Sequence, residues 1–410
     1  MHVLAVNQFY APDLSPTSQL LTELCEDLVR SGDRVTVVAS RGNYLGGQRL
    51  AARERIAGVE VVRPFATSLG KGSVARRLTD YATFGASALA ELVTASRPDV
   101  MLVLTTPPMI AAGAALVATA RRIPLVTWIQ DVYPEIVVAF GLMPARHPVV
   151  RGLELTARAS HRAAARTVVL SEGMAERVVR QGQHPDRIRV IPNWADGAVL
   201  RPRPREASEF RRAHGFEGRC VAMYSGNLGA GHDLGPFVEA ARRLEARCPE
   251  LVLVFVGDGV RRADLERQAR GLSNVRFFPY QPRERLADSL AAADVHLAAL
   301  QEGLEGLLVP SKLYGVLAAG RPLLYLGPPA CELARVVRSA GVGWTVRPGD
   351  VEGVAHALLE AARDPGQSLA MGERARRLFE ADFDRPRAVG RWRDVLREAR
   401  RVVGGTRASV

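Results

Sequence analysis

Lysine is almost missing from this chain: Lys71 and Lys312 are the only two among 55 cationic residues, the rest being arginine. Long apolar runs are missing as well. The longest, Met109 to Ala120, stops at Arg121 and Arg122, short of the roughly 18 apolar residues that cross a bilayer, and reads as a buried helix. Cysteine is sparse. Cys25, Cys220, Cys248 and Cys331 form no Cys-x-x-Cys pair, which excludes a disulfide framework and a zinc site of the usual spacing and points to a reducing compartment. No basic run precedes the strand-like Val3-Leu4-Ala5-Val6 and no cleavage pattern follows it, so a cytoplasmic location is expected.

Acidic residues are also outnumbered, and the net charge is +12. That excess favours an acidic partner: nucleic acid, an anionic membrane surface or a phosphate-bearing small molecule. Charge alone does not choose among them. Because arginine is favoured throughout, each lysine carries information.

With 410 residues, 47% of them hydrophobic, the chain exceeds one ordinary core, and two domains are expected. Its first half alternates apolar runs with helix-period segments: Val3 to Val6, Arg34 to Val38, Val59 to Val62, Val100 to Leu104, Leu125 to Trp128 and Thr167 to Leu170. Strands apolar on both faces and joined by helices form parallel sheets covered on both sides. The pattern pauses at Pro192 to Gly197 and resumes with Cys220 to Tyr224, Leu251 to Val256, Val275 to Phe278, Val295 to Ala299, Pro322 to Leu326 and Gly343 to Val346. The expected class is α/β, two Rossmann-like domains with parallel sheets facing a central cleft: residues 1–197, residues 198–384, and a basic helix and tail over 385–410. That last helix either ends the second domain or crosses back to the first.

Ligands of open parallel sheets bind beyond the C-terminal strand ends. Three such loops of the second half stand out. The first, Tyr224 to His232, offers Ser225, Gly226, Asn227 and Gly229 before a helix, a setting in which backbone N–H groups approach a phosphate; taken alone it is as readily a tight turn. The second holds Gly257, Asp258 and Gly259 followed by Arg261 and Arg262, although Asp258 suits a helix cap. The third, Gln301 to Tyr314, contains Glu302, Glu305, Pro310, Ser311, Lys312 and Leu313. Pro310 and Ser311 read as the opening of a helix to Ala319, which puts Lys312 in the first turn. A cation there is disfavoured by the helix dipole unless an anion is present. A lysine in an arginine-dominated chain, so placed, fits a compact charge held against phosphate.

Taken with Asn7-Gln8-Phe9-Tyr10-Ala11-Pro12, Gln130-Asp131-Val132-Tyr133-Pro134-Glu135, Pro192-Asn193-Trp194 and Ala319-Gly320-Arg321-Pro322, these loops resemble glycosyltransferase family 4, retaining GT-B enzymes, and its bacterial polysaccharide branch. The resemblance covers nearly the whole chain. It implies a nucleotide diphosphate sugar, with UDP the expected carrier, in the C-terminal domain, and a glycan or lipid-linked acceptor in the N-terminal one near Tyr10, Ser15, Thr17 and Tyr133. It further implies retention of configuration, no metal and no cofactor beyond the sugar donor, with an N-acetylhexosamine as one candidate sugar. Two departures stand out. Asn227 and His232 occupy places where many members carry Arg and Lys, and the second glutamate of the Glu-x7-Glu motif falls on Gly315, which removes a ribose contact. Glu302 and Glu305 both remain open as the glutamate meeting the donor sugar.

A departing nucleotide diphosphate gathers negative charge, so glycine-loop amides, Lys312 and Arg261 suit the reaction. Asp131, beyond the strand ending at Trp128, is placed to orient or deprotonate an acceptor hydroxyl, or else to serve a turn. Tyr280, in the loop Pro279-Tyr280-Gln281, is the expected neighbour of the base. Asp382-Phe383-Asp384 imitates a metal-binding Asp-x-Asp but follows a helix and reads as structural. Ser68 to Val93, with Lys71, Arg76 and Arg77 beside Leu78, Tyr81 and Phe84, is either a membrane-resting basic helix, which would place the protein on the inner face of the plasma membrane, or a packed surface helix. A nucleotide-sugar 2-epimerase of similar fold is the competing enzyme. Nucleic-acid binding is not expected, since no aromatic-basic platform accompanies the charge.

Overall fold

A computed structural model describes residues 1–42, 49–69 and 74–405. The chain forms two compact units: Met1–Pro192 with Gly306–Leu308 and Ala388–Val410, and Asn193–Glu305 with Val309–Arg387.

The first unit is built on β1 (His2–Val6), β2 (Arg34–Val38), β3 (Arg53–Ile56), β4 (Val59–Val62), β5 (Val100–Leu104), β6 (Leu125–Trp128), β7 (Arg166–Val169) and β8 (Ile188–Val190). Among the described residues they lie in the order β3-β4-β2-β1-β5-β6-β7-β8. Neighbours are parallel except for the antiparallel pair β3 and β4. All five residues of β5 and all four of β6 are buried, because helices cover both faces. Two strands were not expected from the sequence. β3 reads Arg-Glu-Arg-Ile on the sheet edge, where a polar run costs nothing, and β8 has only three half-buried residues on the other edge. Neither carries an apolar pattern long enough to be seen.

On one sheet face, Phe84, Ala88 and Leu92 of the helix Val74–Thr94 and Ile110, Ala114 and Ala118 of the helix Ile110–Ala120 pack against Leu4, Val6, Met101, Val103 and Leu125. The apolar run before Arg121 is thus a helix with a buried face, and no described helix is long and apolar enough to cross a membrane. The C-terminal helix Arg385–Gly405 belongs to this unit from Ala388 onward. Its Trp392 lies 4.5 Å from Trp128, centroid to centroid, and its Glu398 accepts from both Arg166 and Arg189 at 2.9 Å.

The second unit holds β9 (Cys220–Ser225), β10 (Leu251–Val256), β11 (Val275–Phe278), β12 (Val295–Ala299), β13 (Leu323–Leu326) and β14 (Gly343–Val346), all parallel, in the order β11-β10-β9-β12-β13-β14. Phe237, Leu253, Phe255, Leu297 and Leu358 lie in its larger core. Strand order reverses between β9 and β12 here and between β1 and β5 in the first sheet. The loops leaving those strands therefore flank the crevices where open α/β sheets bind ligands.

Candidate functional site

In the second unit the loops leaving β9, β10 and β11 are tied into one surface. The amide of Gly226 donates to Val256 O at 2.8 Å, that of Gly257 to Phe278 O at 2.9 Å, that of Leu228 to Asp258 O at 2.9 Å, and that of Arg261 to Leu228 O at 3.0 Å. The loop after β12 joins them where Gln301 N donates to Gly231 O at 3.0 Å. Glycine is required at the contacts. A Cβ at Gly257 would lie 2.1 Å from Gly226 O, and both residues have φ near +130°, where side-chain-bearing residues are strained.

Lys312 opens the helix Lys312–Ala318 as expected. Its ammonium lies 4.3 Å from the Tyr224 ring centre, and Tyr224 is itself held by an O–H bond to Asn227 O at 2.7 Å. A Cβ on Gly226 would come within 2.9 Å of Lys312 Cε, so the glycine leaves the space through which the lysine reaches the loop surface. The side chain keeps partial solvent contact, yet it has no ion pair and no hydrogen bond among the described residues. Burial alone pushes its pKa down to about 7. A cation enclosed without an anion is expensive, and the missing charge is one that phosphate would supply. His232, standing near the family's second basic position, does not add a cation. Its Nδ1–H donates to Ala299 O at 2.6 Å, and burial together with nearby Lys312 lowers its pKa to about 4.

The remaining expected donor residues separate into three groups. Arg261 makes no side-chain bond among the described residues, whereas Arg262 is committed to Gly257 O at 2.6 Å and to Glu266 at 2.8 Å. Asp258 does not cap the following helix: Arg261 stands at that position, and Asp258 Oδ1 instead accepts from Gly259 N at 2.8 Å, because the loop turns back at its two glycines. Tyr280 O–H donates to Asp258 O at 3.2 Å while half its surface stays exposed. Ser225 and Gly229 are half-buried in the same loop, and Asn227 and Ser311 are exposed. Pro310 and Leu313 are buried, so their side chains pack. Glu302 is exposed, while Glu305 is half-buried; burial raises the pKa values of Tyr325 and Cys331, with a smaller contribution from the charge of Glu305. At Gly315 a Cβ would meet Leu290 and Leu200 at 3.6 and 3.8 Å, an apolar setting for any residue replacing the usual glutamate.

In the first unit, Asp131 follows β6 and has no bond partner among the described residues; burial raises its pKa to about 6. Next to it, Gln181 Nε2 donates to Tyr133 O at 2.8 Å and to Glu135 Oε2 at 2.6 Å, and Gln181 Oε1 accepts from the buried His161 Nε2 at 2.8 Å. Neither Gln181 nor His161 lies in a motif, and only the fold reveals that they fix this loop. At the end of β1, Tyr10 is 1% exposed and packs inward. Ser15, the N-cap residue of the helix Pro16–Arg30, makes no side-chain cap bond. Its hydroxyl, with Asn7 Oδ1, Gln8 Oε1 and Ser18 Oγ, is buried and unbonded among the described residues; Thr17 is half-buried beside them. Buried polar atoms of this kind ordinarily bond to protein groups or to ordered water.

Two expected surface features sort differently. Asp384 Oδ1 accepts from Gly197 N at 3.0 Å and Arg385 N at 2.8 Å, a structural role. Of the basic amphipathic segment, Lys71 and the side chain of Arg77 lie outside the described residues, Arg76 and Leu78 are exposed, and Phe84 is in the core. Phe84 is therefore not available to a membrane, because it fills the space under the helix.

Residues 18–194 match the family model described as a Glycosyl transferase 4-like domain, and residues 219–364 match Glycosyl transferases group 1. WbjE of Pseudomonas aeruginosa, named as a glycosyltransferase, is 29% identical over 271 residues, 65% of this chain and 66% of WbjE, just under two thirds of that relative. WcaI of Escherichia coli (strain K12), named for glycosyl transfer in colanic acid biosynthesis, is 26% identical over 93% of this chain and 97% of its own length. Among solved structures, Anabaena Alr3699/HepE in complex with UDP superposes with a TM-score of 0.70 at 15% identity, over 97% of this chain and 99% of that one. WaaG, a glycosyltransferase involved in lipopolysaccharide biosynthesis, superposes with 0.68 at 19% identity, over 92% and 95%. The fold is GT-B, two parallel-sheet domains.

Proposed function

The chain belongs to glycosyltransferase family 4, and from that premise we propose that its second unit holds a nucleotide diphosphate sugar, UDP-linked, for transfer to a glycan or lipid-linked acceptor of cell-surface polysaccharide synthesis. The observation that carries the donor assignment is Lys312, an enclosed cation without an anion on a surface of glycine-loop amides. The diphosphate meets Lys312 Nζ, the Gly226 and Gly229 loop and Arg261, uncommitted among the described residues, while Tyr280 flanks the base and either Glu302 or Glu305 faces the sugar. UDP in the HepE complex supports the choice of base.

These groups suit retaining transfer. As the sugar–phosphate bond breaks, its electron pair goes to the diphosphate oxygen, where preorganised N–H groups and Lys312 stabilise it. The acceptor hydroxyl attacks from the same face, and Asp131 takes its proton. No enzyme nucleophile enters. The buried unbonded atoms of Asn7, Gln8, Ser15 and Ser18 mark the place for acceptor hydroxyls in the first unit. Homology to named glycosyltransferases favours transfer over the epimerase.

A thermal-shift screen of UDP, GDP, ADP and TDP tests the reading. UDP is expected to stabilise most. No shift with any nucleoside diphosphate overturns the donor assignment.

A further inference from the structure

We propose that Gln181 is a positioning residue for Asp131, holding the loop from Gln130 to Glu135 in the shape that keeps water from the Asp131 carboxyl. The catalytic value of that role rests on the reading of Asp131 as the acceptor's base.

Gln181 is the C-cap residue of the helix Glu172–Arg180 and is buried. Its amide nitrogen has two hydrogens, and both are spent on this loop, one on Tyr133 O at 2.8 Å and the other on Glu135 Oε2 at 2.6 Å. Two acceptors on one side fix the direction of the amide, because its oxygen has no donor to meet there. Oε1 therefore faces His161 Nε2 at 2.8 Å. An amide oxygen only accepts, so the proton of the His161 ring sits on Nε2, and His161 Nδ1 is buried without a bond among the described residues. Burial also lowers the pKa of His161 and keeps the ring neutral. A neutral ring of the helix Pro148–Ala163 thus orients a neutral amide, and that amide grips the loop at two points.

The backbone pins the same loop from the other side. Gln130 N donates to Thr105 Oγ1 at 3.4 Å and Val132 N to Leu307 O at 2.8 Å. Leu307 lies in the short piece Gly306–Leu308 that belongs to the first unit. A Cβ at Gly306 would come within 2.7 Å of Gly173 O, so this piece rests on the first turn of the helix that Gln181 ends. Asp131 stands between the two pinned amides, and its own carboxyl has no bond partner among the described residues.

Burial is the cause of its raised pKa, with no contribution from a charged group of a neighbouring element among the described residues. The charges around the loop act elsewhere: Arg177 of the Gln181 helix and Glu154 of the His161 helix bear on Glu135, whose own pKa is raised chiefly by burial. A shift that owes everything to exclusion of water depends on where the loop lies, since water admitted beside the carboxyl returns its pKa toward the usual range. A base must also be held close to the geometry of proton transfer. Gln181 meets both needs without adding a charge.

Gln181→Met keeps the side-chain volume while deleting one acceptor and two donors. Carbon-13 NMR titration of the Asp131 carboxyl in the full chain, its resonance assigned with Asp131→Asn, reads the exclusion of water directly and needs no substrate. The wild-type midpoint is expected at about pH 6, and Gln181→Met should move it down by roughly one unit or more. His161→Leu spares both loop bonds but leaves Oε1 without its donor, and should shift the midpoint the same way by less. Gln183→Met is the control. This amide is also buried but bonds Thr167 Oγ1 at 2.7 Å, so its loss should lower the melting temperature without moving the midpoint. Release of UDP from UDP-N-acetylglucosamine, with water in the acceptor's place and giving its proton to Asp131, should slow roughly 10- to 100-fold in Gln181→Met with KM unchanged. A wild-type midpoint in both Gln181→Met and His161→Leu, or an equal shift in Gln183→Met, overturns the proposal. If the midpoints move as expected while Asp131→Asn releases UDP at the wild-type rate, the role of Gln181 in the loop stands and the reading of Asp131 as the base falls.

Discussion

The ammonium of Lys312 lies 4.3 Å from the centre of the Tyr224 ring, which gives an enclosed cation an aromatic face but, among the described residues, no anion. Cation–π attraction offsets part of its desolvation, and its pKa still falls to about 7. A diphosphate arriving there favours the protonated form. Binding at pH 8 should therefore take up about one proton per site. Calorimetry of UDP binding in buffers of different ionisation enthalpy reads that number directly. Equal apparent enthalpies in all buffers would show that Lys312 meets no phosphate.

Replacing Lys312 should separate binding from stability. If the proposed donor site is right, Lys312→Met removes a charge-assisted contact to phosphate, and UDP affinity should fall roughly 10- to 100-fold. Stability moves the other way. Between the lowered folded pKa of about 7 and the unfolded value the unfolded chain binds more protons, so this lysine destabilises most at low pH and its cost fades as pH rises through that window. The melting temperature of Lys312→Met should exceed that of wild type at pH 6 and converge with it toward pH 10.

Two glycines in unit 2 should answer alanine in opposite directions. Gly257→Ala forces a Cβ to within 2.1 Å of Gly226 O at a positive φ, and should lower the melting temperature and abolish the UDP shift together. At Gly315 the nearest atoms are 3.6 and 3.8 Å away. Gly315→Ala inside the helix Lys312–Ala318 should stabilise by about 0.5–1 kcal/mol and leave UDP affinity unchanged. Denaturant melts of the two variants provide the comparison.

Adjacent arginines should differ as well. Arg262 ties Gly257 O and Glu266, so Arg262→Ala should cost stability first. Arg261 is uncommitted among the described residues, so Arg261→Ala should raise the UDP dissociation constant with little change in melting temperature. If Arg261→Ala leaves affinity untouched, the diphosphate relies on Lys312 and amides alone.

Much of the fold was legible because β1, β5, β6, β9, β10 and β12 are apolar on both faces and separated by helix-length segments. The edge strands β3 and β8 were not, since one is polar and the other too short to show a period. In the donor loops, Gly226, Gly257 and Lys312 stood out by residue type and by position after a strand. Their interlocking did not, because the bond from Leu228 N to Asp258 O joins residues 30 apart in the chain. Gln181 and His161 were invisible for the same reason. A buried amide bridging Tyr133 and Glu135 leaves no spacing signal.

Asp131 supplies the sharpest separation of catalysis from architecture in the first unit. Burial without a partner raises its carboxyl pKa to about 6, so between its unfolded value and 6 the native chain binds the extra proton. Stability from this group accordingly falls as pH rises through that window, and the full cost of the buried carboxylate is present above it. Asp131→Asn removes the cost: it should melt higher than wild type at pH 8 and lose the advantage near pH 4. Catalysis demands the opposite. If Asp131 is the base for the acceptor hydroxyl, it must be ionised, so wild-type kcat should rise through pH 6, and the Asn variant should lose roughly 10²–10⁴-fold in transfer with its UDP affinity intact. A variant that is more stable and equally active would assign Asp131 to the turn and leave the base to be sought elsewhere in the first unit.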